Sequence, residues 1–301
     1  MILVVAHDAG GAEILSSYVR QKKLDCIYSL SGPALKIFQQ KLGPIKIMPL
    51  EEAIIDCDWL LCGTGWQSDF EWLAIRMAKT YHKKVVVFID HWIYYKERFV
   101  KNNIACLPDE ICVGDVAAQH MAVKEFPEIL VQLVPNPHFA DLQEVFSRIV
   151  YPPSGSFERK KNNPSILYVC EPLAEDEKRY ERYRRYTEHD ALRYFLSHLE
   201  EINIMPDRIA IRPHPAEKDD KYCWVLDEFN LPVIITREKS LLDSVIDSDV
   251  VAGCESMAMV IALLAGKRVI SSIPPEGGYC ILPYKEIEHL HQLLNVVDVK
   301  E

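Results

Sequence analysis

Met1-Ile2-Leu3-Val4-Val5-Ala6-His7-Asp8-Ala9-Gly10-Gly11-Ala12-Glu13 opens the chain with a continuous apolar run that ends in a polar pair and two glycines. An apolar run without alternation is what a parallel strand covered on both faces requires. The glycines let the backbone turn sharply into a helix whose first N–H groups are free for a ligand. Strand, turn and helix in that order make the repeating unit of an α/β fold.

The unit recurs outward from this stretch. Strands are expected over residues 2–7, 25–30, 46–48, 58–62, 84–89 and 110–113, then over 165–170, 208–212, 233–236, 249–252 and 268–273. Helices are expected over 11–20, 33–41, 70–82 and 117–126, then over 175–200, 241–247 and 257–265. Between the two sets, residues 151–164 are rich in Pro, Ser, Gly and charge and carry no apolar period, as a linker does. The domain reading is therefore 1–150, a linker over 151–164, and 165–301, two open α/β sheets in 301 residues. Ligands bind at the carboxyl ends of the strands in such sheets, so a cleft between the two halves is the expected site.

Composition narrows the partner. The chain has 34 basic against 44 acidic residues, a net charge of −10 and a pI near 5.5. Nucleic-acid binding needs a basic footprint, so that class is disfavoured. Local arginines and helix ends can still hold a small anion. Nine cysteines occur without a CxxC pair, several inside apolar runs, and read as small buried hydrophobes of a reducing, cytoplasmic compartment. The first residues lack the basic segment of a signal peptide, and no apolar run reaches the ~20 residues of a membrane helix.

Five stretches carry candidate chemistry. At the tip of the first strand, His7 and Asp8 are candidate general bases, with Gly10 and Gly11 clearing space for a ligand; the bland alternative has Asp8 capping the helix. The motif is neither GxGxxG nor a P-loop, which disfavours NAD and Walker-type nucleotide binding. Cys62-Gly63-Thr64-Gly65, before Ser68-Asp69-Phe70-Glu71, places a second glycine turn at a strand end, with Ser68 or Asp69 as the N-cap. Phe88-Ile89-Asp90-His91-Trp92 and the following Tyr94, Tyr95 and Phe99 bring Asp90 and His91 to a third tip. There the aromatics read either as a sugar surface or as a helical core stripe at Trp92, Tyr95 and Phe99. Arg212-Pro213-His214-Pro215 is the most constrained: two prolines hold His214 out at a strand end, and Arg212 offers a bidentate fork for phosphate. In Gly253-Cys254-Glu255-Ser256, Ser256 is an N-cap aimed at phosphate or ribose, and Glu255 suits a ribose hydroxyl. No Asp-x-Asp ends a strand to hold a divalent metal, and no metal is expected.

With these residues in hand, the chain resembles the GT-B glycosyltransferase-like superfamily, most of all bacterial transferases that build surface glycans from nucleotide sugars. Arg212-Pro213-His214-Pro215 is similar to the "HP" motif of bacterial sialyl- and Kdo-transferases, whose histidine contacts the nucleotide phosphate. The segment 253–266 looks like the serine-bearing strand–helix that such enzymes place under the donor. By the same resemblance Asp8 matches the acidic base of the N-terminal domain, with His7, Asp90 and His91 as further candidates. The resemblance implies two doubly wound Rossmann-like domains facing a central cleft, without a cofactor beyond the nucleotide sugar used as substrate. It implies a CMP- or UDP-linked donor and a glycan or lipid-linked glycan acceptor, with peripheral contact to a membrane left open. Donor contacts fall to Gly10, Gly11, Arg212, His214, Glu255 and Ser256. The hydrolysing UDP-N-acetylglucosamine 2-epimerases share the architecture and are the rival enzyme reading; a non-catalytic nucleotide-sugar-binding subunit is the rival outside enzymes.

Overall fold

A computed structural model describes residues 1–65, 68–150, 163–175, 185–218 and 220–297. Nearly all of the stretch read as a linker, residues 151–162, lies outside them, as do 176–184 of the helix expected over 175–200. The chain forms two compact units, Met1–Asp141 and Leu142–Glu301. Their boundary falls inside the helix Pro137–Val150 and ahead of the expected residue 150.

In the first unit, β1 (Ile2–Ala6), β2 (Cys26–Leu30), β3 (Trp59–Cys62) and β4 (Lys84–Ile89) precede a small antiparallel hairpin of β5 (Val100–Lys101) and β6 (Ile104–Ala105). After the hairpin come β7 (Glu110–Val113) and β8 (Leu130–Leu133). The sheet is parallel throughout, in the order β2-β1-β3-β4-β7-β8. One face carries Val4, Ala6, Leu61, Val86 and Phe88, packed against Leu15, Val19 and Phe38 of the helices Ala9–Lys22 and Pro33–Leu42. The other face, with Leu3, Val5, Leu60, Val85 and Val87, is equally buried. Both faces being covered is why these strands show no polar alternation.

The strand expected over 46–48 reduces to one parallel bridge, Tyr28↔Ile47. Pro44 and Pro49 flank it and donate no ladder hydrogen bond, and Ile47 is exposed. The sequence reading also lacks the helix Leu50–Asp56, β8 and the helix Pro137–Val150.

The second unit repeats the plan with β9 (Ser165–Val169), β10 (Arg208–Arg212), β11 (Val233–Ile235), β12 (Val250–Gly253), β13 (Arg268–Ser271) and β14 (Ile287–His289). Its order is β11-β10-β9-β12-β13-β14, again all parallel. Tyr168, Phe195 and Tyr222 are fully buried in its core beside Ile209, Ile211 and Ala252. The helix Glu188–Ser197 is begun by a capping box at Thr187 and Asp190.

Counted along the chain, this sheet has the doubly wound order 3-2-1-4-5-6, and the first sheet has the same order with one further strand, β8, at its far edge once the Ile47 bridge outside β2 is included. Each unit is therefore a Rossmann-like domain, as the sequence implies. In each, the strand order reverses at one place: between β1 and β3 in the first unit, and between β9 and β12 in the second. Loops that leave the strands there part to opposite sides and open a crevice, the usual ligand position in such sheets.

Candidate functional site

In the first unit, the reversal brings together the loop after β1 and the loop after β3. His7 and Asp8 leave β1, and Asp8 is the N-cap position of the helix Ala9–Lys22. Its side chain makes no cap hydrogen bond; Asp8 Oδ1 lies 2.7 Å from His7 Nδ1 instead. The capping alternative is thereby set aside, and the carboxylate is held against the imidazole in the way a base or its orienting partner is.

What fixes this pair is a residue to which the sequence reading gave no role. Glu71, in the first turn of the helix Phe70–Thr80, is 2% exposed. Its Oε1 accepts from the backbone N–H of His7 (2.6 Å) and of Asp8 (3.2 Å). Its Oε2 is buried with no hydrogen-bond partner among the described residues. Burial, and then the Asp8 charge, push the Glu71 carboxyl up from its ordinary range. The contact spans more than sixty residues, so no local pattern announces it. Its one sequence signal is an acid in the first turn of a helix that follows a glycine turn.

The neighbouring tip is closed by the molecule itself. Asp90 pairs with Arg98 at 2.7 Å, and the Arg98 side chain is only 4% exposed. The same guanidinium donates to the Thr64 carbonyl (2.9 Å) and hydroxyl (2.7 Å), tying the Gly63-Thr64-Gly65 turn to β4. Asp90 is thus one end of a buried ion pair. His91 Nδ1 accepts from the N–H of Trp92 at 2.9 Å, a contact within its own turn. Asp69 holds the N-cap position of the helix Phe70–Thr80 without a side-chain cap hydrogen bond, and the Ser68 hydroxyl just ahead of it accepts from the Phe70 N–H.

Gly10 and Gly11 lie inside the helix Ala9–Lys22, and their missing side chains serve packing. Asp90 fills the place of a Gly10 Cβ, and the Gly63 Cα stands 3.4 Å from where a Gly11 Cβ would be. The Cβ position of each glycine is thus taken up by the protein. The aromatics Trp92, Tyr95 and Phe99 are buried, as the core alternative required. They do not form a helical stripe, since only Glu97–Phe99 makes a short 3₁₀ turn. Trp92 Nε1 donates to Asp115 and the Tyr95 hydroxyl to the Ala118 carbonyl, which locks this loop onto the helix Val116–Glu125.

In the second unit, the prolines project His214 at the end of β10, and its loop is pinned from both sides. The His214 N–H donates to Glu217 Oε2 at 2.6 Å, and Arg237 donates to the carbonyls of Pro213, His214 and Glu217. His214 Nδ1 accepts from the Ala216 N–H at 3.2 Å, which leaves the ring proton on Nε2. Burial pushes the His214 pKa down, Arg237 and Lys221 add to this, and Glu217 opposes. The ring is therefore a neutral Nε2–H donor at pH 7. Arg212 Nη1 donates to the Lys239 carbonyl at 2.7 Å and lies 3.4 Å from the Ser244 hydroxyl. Both are neutral oxygens, so these contacts leave the guanidinium charge uncancelled while holding it against the helix Leu241–Ile246.

At the reversal point of this unit, Ser256 caps the helix Met257–Leu264, its hydroxyl accepting from the Ala258 N–H. Glu171 Oε1 accepts from the N–H groups of Cys254 (3.1 Å) and Glu255 (2.9 Å). Glu255 is buried. The Cys254 and Glu255 amides are thus held by a carboxylate, in the arrangement Glu71 makes in the first unit. Nearby, Glu175, Glu188 and Glu217 gather three carboxylates, and Lys221 is their cation, at 3.0 Å from Glu175, 2.9 Å from Glu217 and paired with Glu188. Among the described residues no helix is long and apolar enough to cross a membrane.

Two doubly wound domains on one chain, each with its polar groups at the strand-order reversal, define the GT-B fold. Solved structures bear this out. Similar ones are the UDP complex of MnaA from S. aureus (11% identity, TM-score 0.62, covering 99% of this chain and 87% of that one) and Methanocaldococcus jannaschii UDP-GlcNAc 2-epimerase with UDP-GlcNAc and UDP (12%, 0.61, 99% and 92%). A glycotransferase of kitacinnamycin is similar as well (10%, 0.52, 99% and 89%). At these identities the likeness is one of fold. No protein-family model and no curated protein matches the chain.

Proposed function

We propose that the protein is a nucleotide-sugar-dependent glycosyltransferase. Asp8 is its general base, and Arg212 and His214 bind the donor phosphate. The observation that carries the reading is the way Asp8 is held: its backbone N–H and that of His7 rest on one buried Glu71 oxygen, and its carboxylate meets His7 at 2.7 Å, all at the strand-order reversal. A base must be rigid and within hydrogen-bond reach of the hydroxyl it deprotonates. His214 supports the donor role because a neutral Nε2–H and an arginine on neutral partners are both available to phosphate oxygens. A UDP complex among the similar structures is in keeping with a uridine nucleotide as the first donor to try.

A second reading, an epimerase that hydrolyses its UDP-sugar, is favoured by one feature. Asp8, Glu71 and Asp90 place three carboxyl groups around the first-unit strand ends, as a reaction on a single bound sugar would use. One assay separates the readings: release of free nucleotide from UDP-, CMP-, GDP- and dTDP-sugars, with and without a glycan acceptor. A transferase releases nucleotide slowly alone and rapidly with its acceptor, and an epimerase releases it rapidly alone. A binding subunit stabilised by nucleotide but releasing none in either arm overturns the enzyme reading.

A further inference from the structure

The Asp8 and Glu71 side chains border one small space. A Cβ placed on Gly65 would stand 2.6 Å from Asp8 Oδ2 and 3.0 Å from Glu71 Oε2, so both free oxygens flank the gap left by that glycine. The other oxygen of each is engaged: Asp8 Oδ1 with His7, and Glu71 Oε1 with two backbone N–H groups. Among the described residues, Glu71 Oε2 is buried with no hydrogen-bond partner. Glu71 is 2% exposed, and two carboxylates that share one site repel, so that such a pair keeps one proton.

We infer that Glu71 is a positioning residue for Asp8: one of its oxygens anchors the Asp8 backbone, and the other carries the single proton of the pair and faces the Asp8 carboxylate across Gly65. This deepens the assignment of Asp8 as the base and rests on it for its catalytic meaning. The other titratable groups around Glu71 are few. His7 is at the end of β1, and Cys62, its thiol pushed far up by burial and by Glu71, is at the end of β3. The Asp90–Arg98 pair stands beyond Thr64. Arg98 is spoken for by Asp90 and Thr64, and His7 turns its Nδ1 to Asp8, so neither supplies Glu71 Oε2 with a counter-charge or donor. Burial raising the Glu71 carboxyl agrees with a proton there.

The protonated partner has a consequence for chemistry. With the proton on Glu71, the Asp8 carboxylate is the member of the pair placed to take a proton from an acceptor hydroxyl. A neutral Glu71 then places no second negative charge beside the Asp8 carboxylate.

The test is infrared spectroscopy of the full chain combined with two variants. At pH 7, the difference spectrum between wild type and Glu71→Gln should contain one carbonyl stretch of a protonated carboxylic acid, and in wild type alone that band should fade as pH is raised. Glutamine keeps the carbonyl acceptor and a donor toward Asp8, so E71Q should retain turnover within about tenfold of wild type. Glu71→Ala should lose about a hundredfold in kcat with the KM for the donor unchanged, since only the Asp8 side is disturbed. No protonated-acid band in wild type, or equal wild-type turnover in both variants, overturns the inference. The infrared result stands whether or not a nucleotide sugar is turned over, so a failed glycosyltransferase assignment is told apart from a failed carboxyl pair.

Discussion

Asp90 occupies the place where a side chain on Gly10 would begin: its Cγ lies 3.1 Å and its Cβ 3.6 Å from the position of a Gly10 Cβ. The carboxylate cannot rotate aside freely, because its Oδ1 is the partner of the buried Arg98 guanidinium. Gly10 is therefore the residue that lets the end of β4 approach the first helix. Alanine in a helix interior is ordinarily favoured over glycine by about 1 kcal/mol. Here the clash should reverse the sign, with Gly10→Ala destabilising by about 1–3 kcal/mol in urea unfolding. A G10A protein at least as stable as wild type contradicts this packing.

His138 gives a pH dependence of known direction. Burial, and then the Lys41 ammonium, push its pKa down to about 4, with Glu13 and Asp141 opposing. The unfolded chain binds a proton near the usual histidine range while the folded one refuses it. Stability is therefore fully present above about pH 6.5 and falls as pH drops toward about 4. The loss should reach about 2–3 kcal/mol. The difference in urea midpoint between wild type and His138→Asn, followed from pH 7 to pH 4, should carry this slope. A flat difference contradicts it.

Lys221 should be a stability residue of the second unit. Its ammonium serves Glu188 and Glu217, both buried, and the more exposed Glu175. Lys221→Met strands two buried carboxylates, a loss of about 3–5 kcal/mol. The deficit should shrink as pH is lowered, because the stranded acids can then take protons. Thermal melts at pH 7 and pH 5 read both effects. A deficit that grows at pH 5 means the carboxylates are compensated elsewhere.

Much of the fold is readable in the sequence because buried parallel strands leave a clear mark. Ile2–Ala6 and Lys84–Ile89 are buried on both faces and read as unbroken apolar runs. The strands missed are those at sheet edges. Leu130–Leu133 is half exposed, and Ile287–His289 is three residues long with polar groups at two of them, so neither stands out from a loop. The site was partly legible for the same reason that it was partly not. Asp8 and His214 stand at strand tips, where sequence alone places them. Glu71, Arg98 and Arg237, which hold those tips in shape, reach them by contacts across the fold; Glu71 has only its place in a first helical turn to mark it, and nothing in the local sequence of the two arginines distinguishes them from surface charge. At the glycine pair 10 and 11 the sequence does not show that Asp90 and Gly63 meet the two Cβ positions, again by contacts across the fold.

For the donor side, His214→Ala should weaken binding of the cognate nucleotide by about 1–3 kcal/mol, the range of one charge-assisted hydrogen bond. Because Nε2–H is the donor and the ring is neutral, affinity should hold from pH 7 to pH 9. Calorimetric titration with the nucleotide that gives the largest thermal stabilisation measures this. Unchanged affinity in a folded H214A protein removes the phosphate role.

The central claim is that Asp8 is the base, and its most direct test is the turnover of Asp8→Asn with the best nucleotide-sugar donor and acceptor. Asparagine keeps the shape and removes the basicity. The account predicts a fall in kcat of roughly 10²–10⁴-fold with donor affinity unchanged. Wild-type turnover in a folded D8N protein contradicts it.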